Sequence, residues 1–93
     1  MQWDQKKLER VERMAGAAFT HAEIAEVLSI EEYSLQMEMQ SQDSPYRKAY
    51  RTGLLARQLE LRERIFKDAA NGSSPAQTLA HKLLEDVIIK ESL

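Results

Sequence analysis

The residues best suited to acid–base or metal chemistry are two histidines, His21 and His81, and they stand far apart in the chain. There is no cysteine, which removes thiolate nucleophiles, thiolate metal ligands and disulfides. No glycine-rich phosphate loop and no H-E-x-x-H pattern occurs. Glu31, Glu32 and Glu38 lack the alternating ligand spacing of a calcium loop. His81 falls beside an apolar stripe, where it reads as a surface residue. The expectation is therefore no catalytic residue, no metal, no cofactor and no enzyme. Recognition is the chemistry that remains, through amide, phenol and guanidinium groups.

Those recognition groups cluster around Thr20–Gln40, THAEIAEVLSIEEYSLQMEMQ. The spacing is that of two short helices joined by a tight turn, a helix–turn–helix. Ile24 and Ala25 face inward, Leu28 closes the first helix, and Ser29 stands where glycine is usual. Ile30 and Leu35 complete the inner surface. Two helices that cross steeply need a small residue at the closest approach, and Ala25 supplies it. On the outer face of the second helix lie Glu31, Glu32, Tyr33, Gln36, Met37 and Gln40. In a major groove, Gln36 and Gln40 would read adenine edges and Tyr33 would reach a phosphate. The same helix has no Lys or Arg, and its acids repel phosphate. Arg47, Lys48 and Arg51, at the start of the next helix, supply the missing cations. Tyr33, Gln36, Gln40, Arg47, Lys48 and Arg51 are the expected DNA-binding set. Lys6, Lys7, Arg10 and Arg13 of the first helix are further contributors.

These groups must be positioned by helices, because the sequence has little strand pattern. Asp4 caps a first helix running to about Ala17, with Leu8, Val11, Met14, Ala15 and Ala18 on its apolar side. Gly16 is expected to loosen its end. Thr20 and Glu23 form a capping box at the next helix. Ser44-Pro45 opens a helix of about 26 residues, near 39 Å at 1.5 Å per residue. Asn71-Gly72 stops it, and Ser74-Pro75 starts a last helix. The last helix has one stripe: Ala76, Leu79, Ala80, Leu83, Leu84, Val87 and Ile88. The long helix has two, Tyr50/Leu54/Leu61/Ile65 and Leu55/Leu59/Phe66, so it needs two packing partners. The last helix satisfies one as a hairpin. Leu55, Leu59 and Phe66 are the expected self-association residues.

The fold expectation is all-α: a helix–turn–helix three-helix bundle over residues 1–43, then an antiparallel long-helix/short-helix hairpin over 44–93, one compact domain overall. Ninety-three residues suit one small domain that completes its core in an oligomer. Charge is unevenly spread. Residues 1–40 hold four basic and eight acidic side chains, whereas residues 41–70 hold seven basic and four acidic. The middle of the chain is thus the electrostatic candidate for nucleic acid. No apolar run approaches the roughly 20 residues that span a bilayer, and the N-terminus has no apolar signal core. The expectation is a cytoplasmic protein with no membrane partner.

The order of parts resembles the N-terminal DNA-binding region of phage terminase small subunits and related phage helix–turn–helix proteins. The matching residues are Ala15-Gly16, Phe19-Thr20, Glu23-Ile24-Ala25, Leu28, Ile30, Pro45-Tyr46, Ala49-Tyr50 and Gly53, covering about residues 14–70. The resemblance implies a non-enzymatic subunit that forms oligomeric rings and binds the packaging site on viral DNA. It also implies a terminase large subunit as partner, which carries the ATPase and nuclease activities, and a phage- or prophage-encoded protein in a bacterial cytoplasm. By position, the family's DNA contacts fall on Glu31, Glu32, Tyr33, Gln36 and Met37. Relatives commonly have basic and aromatic residues there, where this chain has acids and a methionine. A chain this short leaves little room for a separate partner-binding tail, as in a fragment or a smaller relative. Two other readings use the same residues. One is a protein-interaction module whose acidic face meets a basic partner or mimics DNA. The other is a phage transcriptional regulator.

Overall fold

The computed structural model describes residues 2–92, and every regular element among them is a helix. The order is α1 (Gln5–Gly16), α2 (His21–Leu28), α3 (Glu32–Met39), α4 (Pro45–Ala70) and α5 (Ser74–Glu91). The chain divides after Arg57 into two compact units, so the division falls inside α4. The boundary expected at residue 43 falls in the connection between α3 and α4. Tyr46, Ala49 and Gly53 of α4 are buried, and Tyr46 and Ala49 belong to the same core as α1–α3.

Local signals set the helix ends of the first unit. The Asp4 carboxylate accepts from the Lys7 backbone N–H at 2.7 Å and starts α1. That helix ends through bonds from Ala18 N to the Ala15 carbonyl and from Phe19 N to the Met14 carbonyl. This pattern requires a left-handed residue just past the helix, and Ala18 takes it at φ 66°. Ala18 is accordingly exposed, off the apolar side where the periodicity placed it. Gly16 does a different job from loosening the end. Its Cα faces Gly53 of α4, and a Cβ there would stand 3.3 Å from the Gly53 carbonyl oxygen. At Gly53 a Cβ would overlap the Glu12 carbonyl oxygen and touch the Ala15 side chain at 3.0 Å. The two helices therefore meet backbone to backbone. Arg57 adds a bond to the Gly16 carbonyl at 2.6 Å.

The Thr20–Glu23 capping box is complete in both directions. Ser29 ends α2 in the left-handed conformation, φ 57° and ψ 46°, where glycine is the usual residue. Ile30 N donates to the Ala25 carbonyl across this turn. Ile24, Ala25 and Leu35 are buried, and α2 packs on α3. Together with Val11, Tyr46 and Ala49 they form the core. Leu8, Met14, Phe19, Leu28, Ile30, Met39 and Tyr50 close around it. Ser44 caps α4, its hydroxyl accepting from Arg47 N at 3.2 Å, with Pro45 at the first helical position.

The second unit holds the end of α4, the linker Asn71-Gly72-Ser73 and α5. Gly72 has φ 96°, and Ser73 N donates to the Asp68 carbonyl. The cap of α5 is Ser73, one residue before the expected Ser74-Pro75 start. Gln77 reaches back from α5 to the Ala69 carbonyl at 3.2 Å. Ala76 and Ala80 are buried, whereas Leu79, Leu84, Val87 and Ile88 of the same stripe stay about half exposed.

Candidate nucleic-acid interface

Of the expected DNA-binding set, Tyr33 and Gln36 lie on α3, Gln40 caps its end, and Arg47, Lys48 and Arg51 lie on the first turns of α4. Tyr33 is 66% exposed. Gln36 and Gln40 are exposed too, but the Gln36 amide donates to the Glu32 carboxylate one turn earlier at 3.1 Å. Glu31 and Glu32 are exposed at the start of α3, where the helix dipole favours negative charge. Glu38 is turned to another use. One of its carboxylate oxygens accepts from the Trp3 indole N–H at 3.2 Å and from the Ser44 hydroxyl at 2.8 Å. It ties the chain preceding α1 and the cap of α4 to the end of α3.

Arg47, Lys48 and Arg51 come together. They line one open groove of about 800 Å³ with Gln42, Asp43, Thr52 and Leu55. Among the described residues, none of the three cations is in an ion pair. One acid, Asp43, shares the groove. Leu55, Leu59 and Phe66, the expected self-association residues, are exposed at 56%, 60% and 39%. Leu55 borders the basic groove, and Leu59 and Phe66 belong to the second unit.

Behind α3 lies an aromatic cluster that spacing alone does not reveal. Tyr46 is fully buried, and Trp3 stacks on it at 5.2 Å between centroids. His21 lies 4.3 Å from the Tyr50 ring and 5.6 Å from the Tyr46 ring. Its Nδ1 is 2.5 Å from the Tyr46 hydroxyl. Burial, with the Tyr50 phenol adding to it, raises the Tyr46 pKa, so its hydroxyl keeps its proton. Burial also lowers the His21 pKa, against a smaller opposing pull from Glu32. A neutral imidazole accepting the Tyr46 proton at Nδ1 satisfies both groups. Tyr50 donates to the Phe19 carbonyl at 3.2 Å. One signal for this cluster is in the sequence: Tyr46 and Tyr50, four apart, share a face of α4. His21 stands at the first position of α2, and that gives no sign that it faces them.

His81, by contrast, is exposed on α5. Among the described residues no three His, Asp or Glu side chains gather as metal ligands, and no helix is long and apolar enough to cross a membrane. No protein-family model, curated protein sequence or solved structure matches the chain.

Proposed function

We propose that this chain is a non-enzymatic protein that binds duplex DNA and works as an oligomer, in the manner of a phage terminase small subunit. The observation that carries the reading is the groove at the start of α4. Arg47, Lys48 and Arg51 line it without ion-pair partners. Phosphate neutralisation supplies most of the affinity in such complexes, and unpaired surface cations are what it requires. The tight α2–α3 pair, with Ser29 left-handed between the helices, is compatible with a helix–turn–helix. Half-exposed leucines and Phe66 in the second unit give copies of the chain an apolar surface to share. In the cytoplasm of an infected bacterium, such an assembly would mark viral DNA for a terminase large subunit.

Fluorescence anisotropy with a labelled duplex tests this. Binding should weaken steeply between 50 and 200 mM salt, as expected of a protein that neutralises several phosphates (roughly 10³-fold or more for six contacts). Arg47→Ala combined with Arg51→Ala should lower the affinity at least tenfold. An absence of binding at low salt across many sequences removes the proposal. It leaves the protein-interaction reading, which the exposed Tyr33 and Met37 beside Glu31 and Glu32 favour.

A further inference from the structure

Charge in the first unit is segregated by element. Between Arg13 and Arg47 the chain has no Lys or Arg, while Glu23, Glu26, Glu31, Glu32, Glu38 and Asp43 fall in that span. The cations of the unit stand on α1 and α4 alone. They also lie on adjoining surface. The groove holding Arg47, Lys48 and Arg51 shares Pro45, Lys48 and Thr52 with a depression between α1 and α4. That depression shares Glu12 with a third, lined by Lys6, Glu9, Arg10 and Arg13. Six cations thus follow one another along the α1–α4 face, with Asp43, Glu9 and Glu12 among them. None of the six is in an ion pair among the described residues.

The support beneath this face is rigid. Gly16 and Gly53 bring the two backbones into contact, and Arg57 fastens the end of α1. The placement of the two helices that carry the cations is therefore set before any ligand arrives, and only the Lys and Arg side chains themselves must order on binding. The twelve residues of α1 extend about 18 Å, a length over which a duplex presents about ten phosphates. The outer face of α3 is the opposite case: Glu31 and Glu32 are exposed, and the Gln36 amide is engaged by Glu32.

We infer that the duplex lies along the α1–α4 face, with α3 turned away, so that this protein grips the phosphate backbone without reading sequence. The inference rests on the DNA-binding reading and departs from the groove-reading role that a second helix of this kind would have.

Salt-dependent anisotropy on the full chain separates the possibilities. Two triple variants, Lys6→Gln/Arg10→Gln/Arg13→Gln and Arg47→Gln/Lys48→Gln/Arg51→Gln, should each reduce the slope of log affinity against log salt by about 2 to 3, at roughly 0.9 per phosphate contact. Two duplexes of unrelated sequence should bind within threefold of each other. Glu31→Gln with Glu32→Gln should change affinity less than twofold, because those acids do not meet DNA. Circular dichroism checks that the triple variants keep their helicity. If either loses it, single substitutions at the exposed Lys6 and Lys48 replace it, each expected to reduce the slope by about 1. The inference fails, with DNA binding intact, if removing the two acids tightens binding tenfold. It also fails if Tyr33→Ala/Gln36→Ala/Gln40→Ala abolishes binding while the α1 variant is neutral. Absence of duplex binding by the unmodified chain at 50 mM salt, with or without binding to anionic phospholipid vesicles, removes both the inference and the DNA reading.

Discussion

His21 makes the stability of the first unit depend on pH through a single side chain. Its pKa is lowered in the folded protein by burial, while in the unfolded chain it stays near the ordinary value of about 6.5. As pH falls below that value the unfolded state takes up a proton first, so stability declines until the folded pKa is passed. Above about 6.5 both states are neutral and this group contributes no slope. Thermal melts between pH 5.5 and 7.5 should show Tm falling on the acid side, and His21→Phe should flatten that fall. A second residue-scale expectation concerns Ala18, which is left-handed and exposed. Ala18→Gly relieves the Cβ strain, less the extra freedom gained by the unfolded chain, for a net gain of about 0.5 kcal/mol. Chemical denaturation reads it as a higher midpoint.

At the scale of elements, the α1–α4 crossing is the most restrictive contact. Gly53→Ala places a methyl group where the Glu12 carbonyl stands, and neither backbone can give way without separating the helices. Overpacking of this kind costs roughly 1 to 3 kcal/mol or more, measurable as a lower urea midpoint. Leu35 anchors α3 to α2 from a fully buried position, so Leu35→Asp should abolish the cooperative transition by burying an unpaired charge. What the chain reveals in advance follows the same division. Thr20–Glu23, Ser44-Pro45 and Asn71-Gly72 act within a few residues of themselves, and all three mark helix ends as read. Ile24, Ala25, Leu28, Ile30 and Leu35 are legible because helical periodicity fixes which side they face. The Trp3–Glu38 and His21–Tyr46 bonds join residues 35 and 25 apart. No local pattern encodes them, so Glu38 reads from sequence as one more exposed acid. The basic groove is half legible. Arg47, Lys48 and Arg51 share the first turns of one helix, but their continuity with α1 depends on where Gly53 lets that helix approach.

The whole molecule consists of two units of different completeness. The first has a core drawn from four helices. The second buries Ala76 and Ala80 and leaves Leu59, Leu61, Leu79, Leu84, Val87, Ile88 and Ile89 exposed by 45% or more. A unit below about 40 residues needs outside help to be stable. A second copy of the chain is the proposed source. Light scattering should give a mass above the 10.7 kDa of one chain, and Leu59→Glu with Phe66→Glu should return it to that value.

The position of Trp3 has an optical consequence. It is the chain's one tryptophan, and all three tyrosines, Tyr33, Tyr46 and Tyr50, also precede Arg57. Phe66 is the second unit's single Phe, Tyr or Trp, so that unit is dark at 280 nm. Emission from Trp3, packed on Tyr46 and bonded to Glu38, reports the first unit alone, while far-ultraviolet ellipticity reports the helices of both. Two melts of one sample therefore resolve the units without a label: coincident curves mean that they unfold together, and separated curves give each its own transition.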